Sequence, residues 1–268
     1  MTLKARAAIL AAGPHMSLPV AGKLAVLLIV GLALAPTSAT NQAAAKQPIP
    51  AQITFWAWDE PEDMRALTGG RAGVAYLAAT ITLDGAIHVS PRLQPLALAS
   101  GTPVVAVVRV ETRPGFHDAP EIRDRVAAAI LDAANRPGIH TVQVDFDAAR
   151  SEREFYTAVL KQIRAALPST TTLSITALLS WCAHDDWIHT LPVDEAIPMY
   201  FRLGREAHNI LNGDSAYAIR EPLCESSVGI ATDEPSRNVP LEGKHVYIFN
   251  PRPWTARQLQ LLSRSGRP

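Results

Sequence analysis

From residue 53 onward the chain alternates short apolar runs with polar or helix-patterned stretches. The runs are Ile53 to Trp58, Gly73 to Thr80, Pro103 to Val110, Thr141 to Phe146, Leu173 to Leu179, Ala196 to Phe201, Ser227 to Ala231 and Val246 to Phe249. Each is rich in β-branched or aromatic residues and has strand length. Two intervening stretches read as helices. Pro120 to Asn135 is opened by Asp118 with acids in its first turn, and Ser151 to Leu167 begins with Ser151 and Glu154 at capping-box spacing. Strand and crossover repeated eight times predict a (β/α)8 TIM-type barrel, with an open doubly wound sheet as the structural alternative.

In a barrel the outward face of each strand must be apolar to meet the helices, so alternation assigns the inward side chains. In Thr141 to Asp147 the apolar set is Val142, Val144 and Phe146, which turns Gln143, Asp145 and Asp147 inward. In the third run Val104, Ala106, Val108 and Val110 face out, leaving Arg109 and Glu111 inside at the C-terminal end. The same reading gathers Trp56, Trp58 and Glu60 on the first strand, and Tyr200 with Arg202 on the sixth. Barrel enzymes build their sites at strand C-termini, where these charges collect.

The N-terminal stretch follows a different pattern. Leu24 to Leu34 is eleven uninterrupted apolar or Gly residues, preceded by Lys23 and followed by the small-residue segment Ala35 to Ala39. That order is expected of a secretory signal peptide over residues 1–39, with Met16 as a second candidate start. Eleven residues rise only about 16 Å as a helix, short of a roughly 30 Å hydrocarbon core, so contact with the membrane is expected to be transient. Residues 40–52 read as a linker and 53–268 as the barrel domain. A periplasmic or secreted location follows, and there Cys182 and Cys224 are expected to form a disulfide, the alternative being two separate buried thiols.

Charge and composition narrow the chemistry. The chain has 25 basic and 25 acidic residues, but residues 1–39 carry Lys4, Arg6, Lys23 and no acid. Removing them leaves 22 basic against 25 acidic side chains, without the basic footprint that nucleic acid requires. With 48% hydrophobic residues, 15 Gly and 2 Cys, the chain is not disordered, collagen-like or a disulfide miniprotein. No GxxxxGK[ST] or GxGxxG turn supports nucleotide binding, and no cofactor is indicated. His184 and His189 lie near Asp185 and Asp186, yet no HxH or HExxH pattern fixes a metal site, and none is assigned.

What remains is a set of carboxylates and aromatics. Two nearby acids in unlike environments are the minimum for glycoside cleavage, one protonated and one ionised. Asp145, Asp147 and Glu111 are the catalytic candidates, with Asp147 as general acid. Arg109 and Arg202 would orient, Glu60 and Tyr200 would line the mouth, and Trp56, Trp58 and Trp181 would stack on sugar faces. The alternative is a structural ion pair at Arg109 with Trp residues plugging the mouth, on a noncatalytic carbohydrate- or protein-binding barrel.

Several motifs carry a family resemblance. Trp56-Ala-Trp-Asp-Glu-Pro-Glu-Asp63, Gly73-Val-Ala-Tyr-Leu-Ala78, Gln143-Val-Asp-Phe-Asp-Ala148, Ser180-Trp-Cys182, Pro198-Met-Tyr-Phe-Arg-Leu-Gly204 and Thr232-Asp-Glu-Pro235 resemble an exported bacterial family known only as a domain of unknown function. The resemblance spans nearly all of residues 53–255 and implies a glycoside-hydrolase-like barrel without an established activity. More distantly, Asp145 and Asp147 are similar to the last two aspartates of the DxxDxDxE strand of chitinase-type barrels, and Met199-Tyr200 to their sixth-strand Met-Tyr-Asp. Ala149 stands where that family has its catalytic glutamate, and Arg202 lies two residues past Tyr200 where the family has Asp next to Tyr. The family's substrate-assisted mechanism therefore does not transfer. The implied partner is a carbohydrate of the cell envelope or surroundings.

Overall fold

The computed structural model describes residues 53–67, 72–204, 218–236 and 238–265. The expected signal peptide and linker lie outside them. Among the described residues the strands are β1 (Ile53–Ala57), β2 (Glu62–Asp63), β3 (Ala72–Leu83), β4 (Ile87–Pro91), β5 (Leu96–Ala97), β6 (Val104–Thr112), β7 (Thr141–Asp145), β8 (Thr172–Leu178), β9 (Glu195–Met199), β10 (Ser227–Ala231) and β11 (His245–Phe249). β1, β3, β6, β7, β8, β9, β10 and β11 pair in that order, all parallel, and β11 returns to β1. The sheet is a closed eight-stranded TIM-type barrel. All eight predicted runs are its staves.

The outer layer is less regular than the alternation suggests. Helix α1 (Pro120–Ala134) follows β6, α2 (Arg153–Ala166) follows β7, the short α3 (Leu179–Ala183) follows β8, and α4 (Ala256–Ser265) follows β11. After β3 the chain turns back at Asp84-Gly85 into antiparallel β4, with Gly85 at φ +98°, a conformation glycine adopts without strain. Both helix starts differ from the sequence reading. Asp118 pairs with Arg123 and leaves Ala119 as the cap of α1. Ahead of α2 the Glu152 carboxylate accepts the Ala149 N–H at 2.6 Å, so the glutamate half of a cap forms two residues early, on an alanine with no side-chain acceptor, and opens a 3-10 turn over Arg150–Glu152.

The strand faces follow the apolar alternation. Ala106, Val108, Val110, Val142, Val144 and Phe146 pack outward with the buried residues of α1 and α2. Phe55, Val74, Val228, Ile230, Val246 and Ile248 pack with Leu259 and Leu262 of α4. A register shift between Leu77 and Ala79 keeps Ile81 and Leu83 in the outer core after Val74. Trp56, Ala75, Val105, Val107, Ile197 and Tyr247 fill the interior.

Below them runs a buried polar chain. The Trp56 indole N–H donates to Gln143 Oε1 (3.1 Å), Gln143 Nε2 donates to Ser174 Oγ (3.3 Å), and Ser174 donates to Glu195 Oε2 (2.9 Å). Tyr247 also donates to Glu195 Oε2 (3.2 Å) and Ser227 donates to Oε1. His245 lies 4.0 Å from the same carboxylate and bonds Thr54 at 2.8 Å. Burial pushes the His245 pKa down against the pull of Glu195. It pushes the Tyr247 hydroxyl well up, keeping it a donor.

Cys182 and Cys224 form a disulfide with Cα atoms 5.9 Å apart, joining α3 to the segment before β10. The Arg220 N–H donates to the Cys182 carbonyl beside it. The bond closes a loop with a sequence separation of 42. A Cys182→Ser/Cys224→Ser variant is expected to lose about 2 to 4 kcal/mol, chiefly because the unfolded chain regains the entropy of that loop. Urea unfolding measures it, and a loss under about 0.5 kcal/mol would show the link to be energetically idle.

Candidate active site

β1, β6, β7, β8, β9 and β11 end at one mouth, where a cavity of about 480 Å³ opens. Trp56, Trp58, Phe201 and Phe249 form its aromatic wall, Met199 and Leu178 its apolar floor, and Arg109, Asp145, Asp147 and Arg202 its charged side. Phe201 and Phe249 stack at 5.7 Å, and Trp58 meets Phe249 edge-on at 6.0 Å. The polar chain under Trp56 fixes its indole, so this wall is preorganised.

The charged side is built on β6 and β7, which pair with Arg109 opposite Asp145. Arg109 Nε donates to Glu111 Oε1 at 2.7 Å, and its Nη1 lies 3.5 Å from Asp145 Oδ2. Its guanidinium also sits over the Trp58 ring, 5.3 Å from the centroid. Asp145 accepts a hydrogen bond from Thr176 at 2.7 Å. Asp147, just past the strand, has one side open to solvent and the other against the cavity, and makes no hydrogen bond or ion pair among the described residues.

These surroundings separate the acids. Burial acts against the charge on Glu111, but its bonds to Arg109 and Arg113 prevail and hold its pKa below the ordinary glutamate value. Desolvation pushes Asp145 up, aided by the nearby Asp147 and Glu111 and opposed by Thr176 and Arg109. Desolvation also raises Asp147, with only the field of Arg109 against it. The charge of Asp147 is one of the groups that raise Asp145, so the state of one aspartate bears on the other. Thr176 and Arg109 favour the anion on Asp145 against its burial, while Asp147 has only the field of Arg109 to favour its anion.

Arg202 occupies the other rim with φ +57°, a left-handed conformation for a non-glycine residue. Its backbone N–H donates to both Glu234 oxygens at 3.1 and 3.0 Å, while its guanidinium bonds Glu234 and reaches Asp233 at 3.0 Å. Turned this way, it spans the loops after β9 and β10 and still lines the cavity.

The mouth thus brings together Trp56, Trp58, Arg109, Asp145, Asp147 and Arg202, with Glu111 in an adjoining side pocket. Three of the sequence-picked residues stand elsewhere. The Glu60 side chain is exposed outside the cavity, and its carbonyl accepts from Arg92. Trp181 is buried in the outer core against Trp187, with ring centroids 5.0 Å apart. Tyr200 packs outward near α4, because Ile197, Met199 and Phe201 take the inward positions of β9. Asp185 bonds Arg153, and His189 faces Glu221.

Residues 100–197 match a family model described as a domain of unknown function, DUF3142. That DUF3142 span carries Arg109, Glu111, Asp145 and Asp147. No curated protein matches the chain in sequence. Among solved structures the chain is similar to the Bacillus cereus spore cortex-lytic enzyme SleL. There the identity is 14%, the TM-score 0.44, and the coverage 81% of this chain and 59% of that one. It is also similar to the chitinase domain of the Clostridium difficile spore coat protein CotE, at 14% identity, a TM-score of 0.36, and coverage of 61% and 53%. The chain therefore spans under two thirds of either structure.

Alternation finds Phe249 once β11 is read from His245, since Val246 and Ile248 face out. It is silent on Phe201 because Ala196 to Phe201 is apolar at both parities. The Glu234 and Asp233 clamp joins loops about thirty residues apart, and no sequence periodicity connects them.

Proposed function

We propose that this chain is an exported glycoside-hydrolase-like protein that acts on a carbohydrate through the mouth carboxylates. One observation carries the reading: Asp145 and Asp147 stand in unlike environments beside a cavity walled by four aromatic rings. A sugar ring laid against that wall presents its glycosidic oxygen to the charged side. Asp147 donates the proton that lets the leaving oxygen depart as a hydroxyl, and Asp145 is the ionised partner, as base or nucleophile. Glu111 is the less suited second carboxylate, because Arg109 Nε already occupies it. The disulfide supports an oxidising, extracytoplasmic location.

A noncatalytic carbohydrate-binding barrel is the second reading, favoured by Ala149. Its side chain offers no acid, and the neighbouring Glu152 is engaged with its backbone N–H. Purified protein incubated with a panel of polysaccharides separates the two readings when bound polymer and new reducing ends are both measured. The enzyme reading expects both signals. Binding without new reducing ends would leave the second reading, and no binding to any polymer would remove both.

A further inference from the structure

The first strand supplies the cavity with Trp56 and Trp58, and the two are held by different means. Trp56 lies within β1, its carbonyl accepts from the Trp254 indole N–H at 2.7 Å, and its own indole donates to Gln143 at 3.1 Å. Trp58 lies one residue past the strand, beyond Ala57 and Tyr76, the last residues that β1 and β3 pair. Just there β3 also changes its register against β6, between Leu77 and Ala79. Among the described residues, then, no strand ladder with β3 carries Trp58.

One residue bridges that gap. The Arg92 backbone N–H, just past β4, donates at 3.0 Å to the carbonyl of Ala78, the residue passed over by the β3 register shift. Its guanidinium donates to the Trp58 carbonyl, to the Glu60 carbonyl at 2.5 Å and to the Gln94 carbonyl at 3.0 Å. Arg92 makes no ion pair among the described residues, so its whole fork is committed to backbone oxygens. Burial pushes its pKa down against the fields of Asp59 and Glu62, and the tie is therefore kept at a cost in hydration. A charged, planar fork holds two peptide planes at once, which a single neutral donor does not.

We propose that Arg92 is a positioning residue for the mouth: it holds the backbone on the C-terminal side of Trp58, so that the ring stands in the cavity wall before any ligand arrives. The inference rests on the carbohydrate reading above for what the wall grips. Trp58 joins the two sides of the site. It meets Phe249 edge-on at 6.0 Å and carries the Arg109 guanidinium 5.3 Å from its ring centroid. A Trp58 ring that swings away gives up both contacts. Arg92 is not among the residues lining the cavity, so it acts through Trp58.

The test labels the full chain with 5-fluorotryptophan, which gives one fluorine resonance for each of its 5 Trp residues, and Trp58→Phe identifies that of Trp58. In Arg92→Ala the Trp58 resonance should shift or broaden, while those of Trp181 and Trp187, packed in the outer core, stay in place. Arg92→Lys keeps the charge without the planar fork, and should move the Trp58 resonance the same way by less. An unmoved Trp58 resonance in folded Arg92→Ala overturns the proposal. If Arg92→Ala does not fold, Arg92→Lys decides: displacement centred on Trp58 supports the proposal, and no displacement, or collapse of all the resonances together, overturns it. For a polysaccharide that the wild type binds, Arg92→Ala should weaken Kd about three- to tenfold, the cost of ordering one side chain on binding. Unchanged affinity beside a displaced Trp58 resonance removes Arg92 from the workings of the site. A wild type that binds no polysaccharide removes the carbohydrate reading, while the fluorine resonances still decide whether Arg92 places Trp58.

Discussion

Asp147→Asn is expected to lower glycoside cleavage by about 100- to 10,000-fold, the usual contribution of a positioned general acid. Neutral-sugar binding should fall far less, because it depends on Trp56, Trp58, Phe201 and Phe249. The pH profile gives an independent check. The proposed reaction needs Asp145 ionised and Asp147 protonated, so a bell-shaped wild-type profile is expected, with limbs set by the two aspartates together. Both aspartates are raised above the ordinary value, so the alkaline limb lies higher than a solvated aspartate would place it. Asp147→Asn removes that limb.

The stability effect has the opposite sign. A raised carboxyl pKa means that the folded state holds its proton to higher pH than the unfolded chain. Stability therefore falls as pH rises from the unfolded toward the folded pKa. At neutral pH the asparagine variant, free of that penalty, should be at least as stable as wild type. A loss of cleavage below about tenfold with the alkaline limb intact would remove Asp147 from the acid's role.

Glu195→Ala should be the most damaging single change to the fold, costing about 3 to 5 kcal/mol. Three hydroxyls, from Ser174, Ser227 and Tyr247, converge on this carboxylate inside the barrel. Removing the acceptor leaves buried donors unsatisfied and opens a void among β8, β9, β10 and β11. For a barrel of this size that is a fall of roughly 10 °C in midpoint. Glu195→Gln keeps the volume and one acceptor oxygen, and Ser227 can rotate to accept from the new amide, so about 1 kcal/mol is expected. Urea unfolding followed by near-ultraviolet dichroism reads both variants. A loss under about 1 kcal/mol in Glu195→Ala would show that the chain from Trp56 to Glu195 is not a structural spine.

The local pattern carried most of the fold. A strand packed between a barrel interior and an outer layer must be apolar on its outward face; β7 and β8 display that alternation, and in β6, apolar on both faces at its start, Arg109 and Glu111 fix it. Arg109, Glu111, Asp145 and Asp147 were legible for the same reason, each an odd charge at an inward position. β9 was not. Ala196 to Phe201 is apolar on both faces, so Tyr200 and Phe201 could be exchanged in register. Starting that strand at Ala196 also left Glu195, its inward charge, outside the strand. Trp181 looked like a mouth residue from its position after β8, but α3 turns its ring into the outer core.

By itself the sequence determined the eight staves, the inward charges of β6 and β7, and two cysteines suited to pairing. These depend on side-chain periods of two and on composition, which a short window contains. Only the tertiary structure decided which aromatics face the cavity, that Asp233 and Glu234 clamp Arg202, that Glu195 gathers three hydroxyls, and that Asp147 makes no hydrogen bond or ion pair among the described residues. Each of these depends on loops or strands far apart in the chain meeting in space. Barrel closure and strand register set those meetings, and no local pattern records them.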